Sequence, residues 1–170
     1  ALTINKLFVR VPVTKLISGK INVNEVLIDG GELRLFTDNS GYTNRYLFLQ
    51  KNNNKANSKS PSGYFFNHIR VRDFHCIITN ERDNKNFDLQ LQNMILEVQK
   101  DSATFQQYHI SSEVKVNQLS FNLDKGSYLQ GATVNGNYTI IYQKDKGIIS
   151  IPPASVLINQ HAFSISLNIV

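Results

Sequence analysis

Residues 69–76 read Ile-Arg-Val-Arg-Asp-Phe-His-Cys, and the spacing of their apolar members decides the fold. Ile69 and Val71 alternate with arginines at the two-residue period of a half-buried strand. Phe74 and Cys76 alternate in the same way, one residue out of phase. In a strand, one inserted residue keeps both pairs on the same face only if the chain bulges or bends there. The pattern apolar-x-apolar-x-x-apolar-x-apolar recurs at Ile21/Val23/Val26/Ile28, Leu89/Leu91/Met94/Leu96, Val114/Val116/Leu119/Phe121 and Ile149/Ile151/Ala154/Val156. In the copies that begin at residues 69, 114 and 149, no intervening position is hydrophobic. Long, bent strands in one curved sheet are therefore expected.

Outward from that segment, plain alternation continues at Leu7 to Val13, Tyr108/Ile110, Ala132/Val134, Tyr138 to Tyr142 and Phe163 to Ile169. Composition agrees: six residues are Ala and twenty are Asn, while Val, Ile, Thr, Tyr and Phe recur throughout, so propensity leans away from helix. The chain reads as all-β and mainly antiparallel. One short helix is expected at Thr14–Ser18, with Thr14 capping its first amides and Gly19 ending it. Phe87 to Val98 is ambiguous, because Phe87, Leu91, Met94 and Val98 also fit helical spacing. Two strand-period runs joined by one phase slip fit it better.

Turns are expected at Asp29-Gly30-Gly31, Asp38 to Gly41, Asn80 to Asn86, Asp124-Lys125-Gly126 and Lys144 to Gly147, each able to supply a positive φ or an Asx turn. They imply a meander of hairpins. Alternation passes undisturbed through Asn135-Gly136, which weakens a hairpin there. The polar stretch at about 50–63 is too hydrophilic to pack and reads as a mobile loop.

A chain of 170 residues with 41% hydrophobic and 18% charged residues has a globular composition and fits one domain or one large segment of a domain. It opens on Ala1 and alternates up to its last residues, as expected of a segment cut from a longer protein. Cys76, the single cysteine, excludes an internal disulfide and multi-thiolate metal sites. His75, Cys76 and His68 are the nearest approach to a metal-ligand set, but neighbours on a strand point to opposite faces, which leaves Cys76 in the core and His75 towards solvent. There is no Gly-x-Ser-x-Gly elbow, HExxH, phosphate loop or dinucleotide fingerprint, so neither an enzyme nor a cofactor is expected. Arg70 and Arg72 lie close to aromatic residues, as in nucleic-acid binders, yet they share the outward face while Phe74 belongs to the inward set. Net charge is +5, a mild basic excess with no class attached.

What remains is the apolar face. Without long helices, it must meet a second sheet, the rest of a longer protein, or a ligand such as lipid. Its expected members are Leu7, Val9, Val11, Ile21, Val23, Val26, Ile28, Leu33, Leu35, Ile69, Val71, Phe74, Leu89, Leu91, Val114, Val116, Ile149 and Ile151. The competing expectation is a closed β-sandwich whose function is structural, as an interaction scaffold.

From Lys6 to Asn44 the sequence KLFVRVPVTKLISGKINVNEVLIDGGELRLFTDNSGYTN resembles the AsmA-like family of Gram-negative envelope proteins. The shared features are a strand, the short Lys15–Gly19 segment, Ile21 to Ile28, Gly31, Leu33/Leu35, and a closing Gly41-x-x-Asn44. Tyr128 to Ile169 is similar to the family's recurring strand unit. The resemblance implies a β-groove with a lipid-facing interior, in a periplasmic protein anchored to the inner membrane by an N-terminal helix. It also implies a role in outer-membrane biogenesis, with phospholipid or its acyl chains as partner and with no catalytic residue.

Overall fold

The structure, a computed structural model, describes residues 1–12, 23–45, 67–102 and 104–169. Its strands are β1 (Leu2–Arg10), β2 (Glu25–Thr37), β3 (His68–Asn80), β4 (Lys85–Asp101), β5 (Phe105–Ser120), β6 (Thr133–Gln143), β7 (Ile148–Ile158) and β8 (His161–Ile169). They form one eight-stranded open sheet in sequence order. The all-β, mainly antiparallel expectation is what the chain adopts. β2 and β3 are the exception: they run parallel. A tight turn cannot join parallel partners, and residues 38–67 connect them, so the hairpin meander runs only from β3 to β8. The helix expected at Thr14–Ser18 and the polar loop at about 50–63 lie outside the described residues.

The ambiguous segment Phe87 to Val98 lies within β4, paired on both edges, with Leu91 opposite Phe74 on one side and Val114 on the other. A helix would have buried one stripe and left two strands unpaired. Asp29-Gly30-Gly31, expected as a turn, is instead the interior of β2. The positive φ foreseen there is real, at 74° for Gly30 and 151° for Gly31, but it bends the strand without reversing it.

That bend belongs to a row. Ser112 and Val114 follow ordinary alternation on β5 and stand opposite Met94 and Leu91, so β4 carries an extra residue in between, Gln92. Register places Asp73 beside Gln92, Gly30 beside Asp73 and Asn5 beside Gly30. Four adjacent strands thus bulge at one level, with Asp73 at φ 50°. Other slips are separate: Asn117 is extra where Val116 and Gln118 face Leu89 and Asp88, Gln99 is extra where Val98 and Lys100 face Tyr108 and Gln107, and Pro152-Pro153 put two residues opposite the single Ser166 where Ile151 and Ala154 face Leu167 and Ile165. A bulge bends its strand and increases twist, so a row of them creases the sheet along a line that crosses the strands.

Beyond the N-terminal end of β1, the exposed edge of β2 is finished by a side chain. Asn44 accepts from the Phe36 amide at 2.9 Å and donates to the Arg34 carbonyl at 2.8 Å, standing in for one residue of a missing strand. Asp38 holds the intervening turn by accepting from the Ser40 and Tyr42 amides, which is the turn foreseen at Asp38 to Gly41. Turns also form at Glu81–Asn84 and Lys144–Gly147 as expected, whereas Asn135-Gly136 stays within β6.

Candidate functional site

Because each bulge restores the phase, the alternating residues of all eight strands collect on one face. One row reads Val9, Val26, Ile69, Leu96, Ile110, Tyr138 from β1 to β6. The next reads Leu7, Ile28, Val71, Met94, Ser112, Gly136, Val156, Phe163 across the whole sheet. Beyond the crease come Ile4, Gly31, Phe74, Leu91, Val114, Val134, Ile158, and then Leu2, Leu33, Cys76, Leu89, Val116. Leu35, Ile78, Phe87 and Leu119 close that end.

Of the nominated residues, Leu7, Val9, Val26, Ile28, Leu33, Leu35, Ile69, Val71, Phe74, Leu89, Leu91, Val114, Val116, Ile149 and Ile151 lie on β1 to β5 and β7, on this face. Val11 and Val23 fall just beyond the ends of β1 and β2, and Ile21 lies outside the described residues. Sequence reasoning named too few: Met94, Leu96, Ile110, Val134, Val156 and the alternate residues of β8 belong to the same surface. Their alternation was visible, but not which strands they would join.

Six hydrophobic residues are only 3–7% exposed: Val71, Phe74, Ile110, Val116, Ala132 and Val156. None lies on the opposite face. Yet strands pack substantially only against their sheet neighbours, so among the described residues no layer covers the apolar side. The two-sheet sandwich held as an alternative is therefore not formed among the described residues. Burial here comes from side chains leaning on one another across a bent surface, which makes the apolar side the inner side of the crease. Cys76 sits in this surface, as its phase indicated, and burial raises its thiol pKa.

The other face mixes charged pairs with scattered apolar residues such as Phe8, Leu27, Ile77 and Ile95. Glu25 lies 2.9 Å from Arg10 and 3.9 Å from Arg70, and Asp29 lies 3.5 Å from Arg72. Glu32 pairs with Arg34 at 3.1 Å, and that hydrogen bond holds its carboxyl below the usual glutamate range. His75 Nε2 stands 2.7 Å from Asp88, whose other partner is the Asn117 amide at 2.8 Å. Burial is the largest single influence on Asp88 and raises its pKa. The His75 and Asn117 hydrogen bonds, with the charges of His75 and Arg34, outweigh it, so Asp88 titrates low. These pairs tie adjacent strands on a wet surface, where each stabilises by roughly 0–1 kcal/mol. Among the described residues, the hydrogen bonds of the His75–Asp88 pair run to Asn117 and to no hydroxyl or thiol.

Comparison of the chain with protein-family models, with curated proteins and with solved structures finds no match in any of the three.

Proposed function

We propose that this chain is a non-enzymatic lipid-holding module whose apolar face receives the acyl chains of phospholipid. The observation that carries the reading is an apolar surface continuous over eight strands with no second layer above it among the described residues. Eight strands at a spacing of ~4.8 Å give a surface about 34 Å across. Half of a ~30 Å hydrocarbon core is about 15 Å, so a tail fits across the strands with room to move. Each methylene removed from water contributes roughly 0.8 kcal/mol whichever row it lies in, because Val, Ile and Leu offer similar surfaces. A ligand held by near-equivalent rows slides, which suits a conduit.

The resemblance at Lys6 to Asn44 supports the same reading and supplies its setting: one span of a longer periplasmic envelope protein, anchored in the inner membrane and serving outer-membrane biogenesis. The test is uptake of a fluorescent phospholipid by the purified chain. Leu7→Asp and Leu167→Asp place charge on the face at positions 57% and 46% exposed, where folding tolerates it. Both are expected to lower uptake severalfold with unchanged circular dichroism. Folded wild-type protein that takes up no phospholipid refutes the proposal.

A further inference from the structure

The connection between β5 and β6 holds four large apolar side chains in water: Phe121, Leu123, Tyr128 and Leu129 are 39–57% exposed. The two rings are grouped, with Phe121 5.3 Å from Phe87 and 6.1 Å from Tyr128, so they stand on the last row of the apolar face, and Leu123 and Leu129 lie on the same connection. The backbone beneath is closed on itself. The amides of Lys125 and Gly126 donate to the carbonyls of Asn122 and Leu123, Asp124 donates to the Asn122 side chain, and Tyr128 and Ala132 donate to the carbonyls of Leu119 and Leu129. The Leu123 amide reaches the Asn84 carbonyl in the β3–β4 turn, which braces the loop from outside. Leu129 is held at φ 53°, a conformation its β-carbon disfavours, while its side chain stays exposed. Charges cancel locally: Asp124 precedes Lys125, and Lys85 lies 3.9 Å from Asp83.

We propose that this loop is an interfacial anchor that inserts Phe121, Leu123, Tyr128 and Leu129 into the headgroup–acyl boundary of a phospholipid bilayer. The headgroup–acyl boundary still supplies partners for some polar groups, and six of the ten backbone amides from Asn122 to Gly131 already donate within the protein, which lowers the cost of partial burial. Amphipathic rings such as Tyr128 settle at that boundary. A peptide that docks by strand addition or by charge finds neither a free edge nor a net charge on the loop. The anchor acts whether or not the apolar face carries lipid.

The chain has no tryptophan, so Tyr128→Trp supplies a single reporter. On phosphatidylcholine vesicles its emission is expected to shift to the blue and to be quenched by shallow brominated lipid. Asp145→Trp, in the turn at the opposite end of the sheet, is expected to do neither. Adding phosphatidylglycerol, or ~1 M salt with its Debye length of about 3 Å, is expected to change little. Leu123→Ser with Leu129→Ser is expected to weaken vesicle binding at least tenfold with the sheet intact. Should Tyr128→Trp fail to fold, Leu123→Trp gives the same readout. An unshifted reporter on intact protein, or adsorption that needs anionic lipid and vanishes in salt, overturns the proposal. Repeated on the Leu7→Asp background, whose uptake by the face is lowered, both readouts are expected to persist; their loss there assigns the signal to lipid on the face and overturns the anchor.

Discussion

Replacing Gly31 by Ala tests the crease on which the single apolar face depends. An added β-carbon would lie 2.3 Å from the Thr3 carbonyl oxygen of β1 and 2.8 Å from the Phe74 ring of β3. A carbonyl cannot step aside as a flexible side-chain tip can, so β1 has to shift. The backbone adds its own penalty, since φ is 151°, where L residues are rarely found. That conformation costs about 1–3 kcal/mol, and a lost ladder hydrogen bond adds about 1 kcal/mol, giving roughly 2–4 kcal/mol together. Gly147→Ala is the control: φ is 68° and nothing lies within 4 Å, so only a backbone cost of about 1 kcal/mol applies. In urea unfolding followed by circular dichroism, Gly31→Ala should lose at least 1 kcal/mol more than Gly147→Ala. For a chain of this size, each kcal/mol lowers Tm by about 2–4 °C. Equal losses would refute the claim that β1, β2 and β3 are locked together at the bulge row.

Asp88→Asn probes the polar face. The folded pKa of Asp88 is depressed, so its contribution is complete above the ordinary aspartate value of about 4 and is lost as pH falls through the folded value. Wild type should exceed Asp88→Asn in stability at pH 7, and the gap should narrow below about pH 4; a gap independent of pH contradicts the pairing with His75 and Asn117. Cys76 reports the apolar face: burial raises its pKa, leaving little thiolate near pH 8. Alkylation should run at least tenfold faster in urea than in the folded chain, and bound phospholipid should slow it further. Equal rates in the two conditions would remove Cys76 from the sheet surface.

How much was legible depended on the range of the interaction concerned. The inserted residue between Val71 and Phe74 is written in eight consecutive residues, and the structure answers it with Asp73 at φ 50°. Gly30-Gly31 carried an equally local message, permission for positive φ, but permission does not say whether a chain reverses or merely bends. The neighbours decided: Asn5, Asp73 and Gln92 bulge at the same level, so β2 continues. The Asn159-Gln160 turn went unnoticed because neither residue is Gly, although both take positive φ, 47° and 70°. Asn44 was noted only as part of a resemblance; its role in finishing the edge of β2 needs the folded geometry.

By itself the sequence determined strand type, the phase slips and the split between an oily and a charged side, because side-chain direction along a strand follows from the order of adjacent residues. Only the tertiary structure decided that β2 and β3 run parallel, that four bulges align into one crease, and that the oily side is left without a facing sheet among the described residues. Those outcomes are set by hydrogen-bonded register between strands far apart in the chain, and alternation looks the same whichever partner a strand takes.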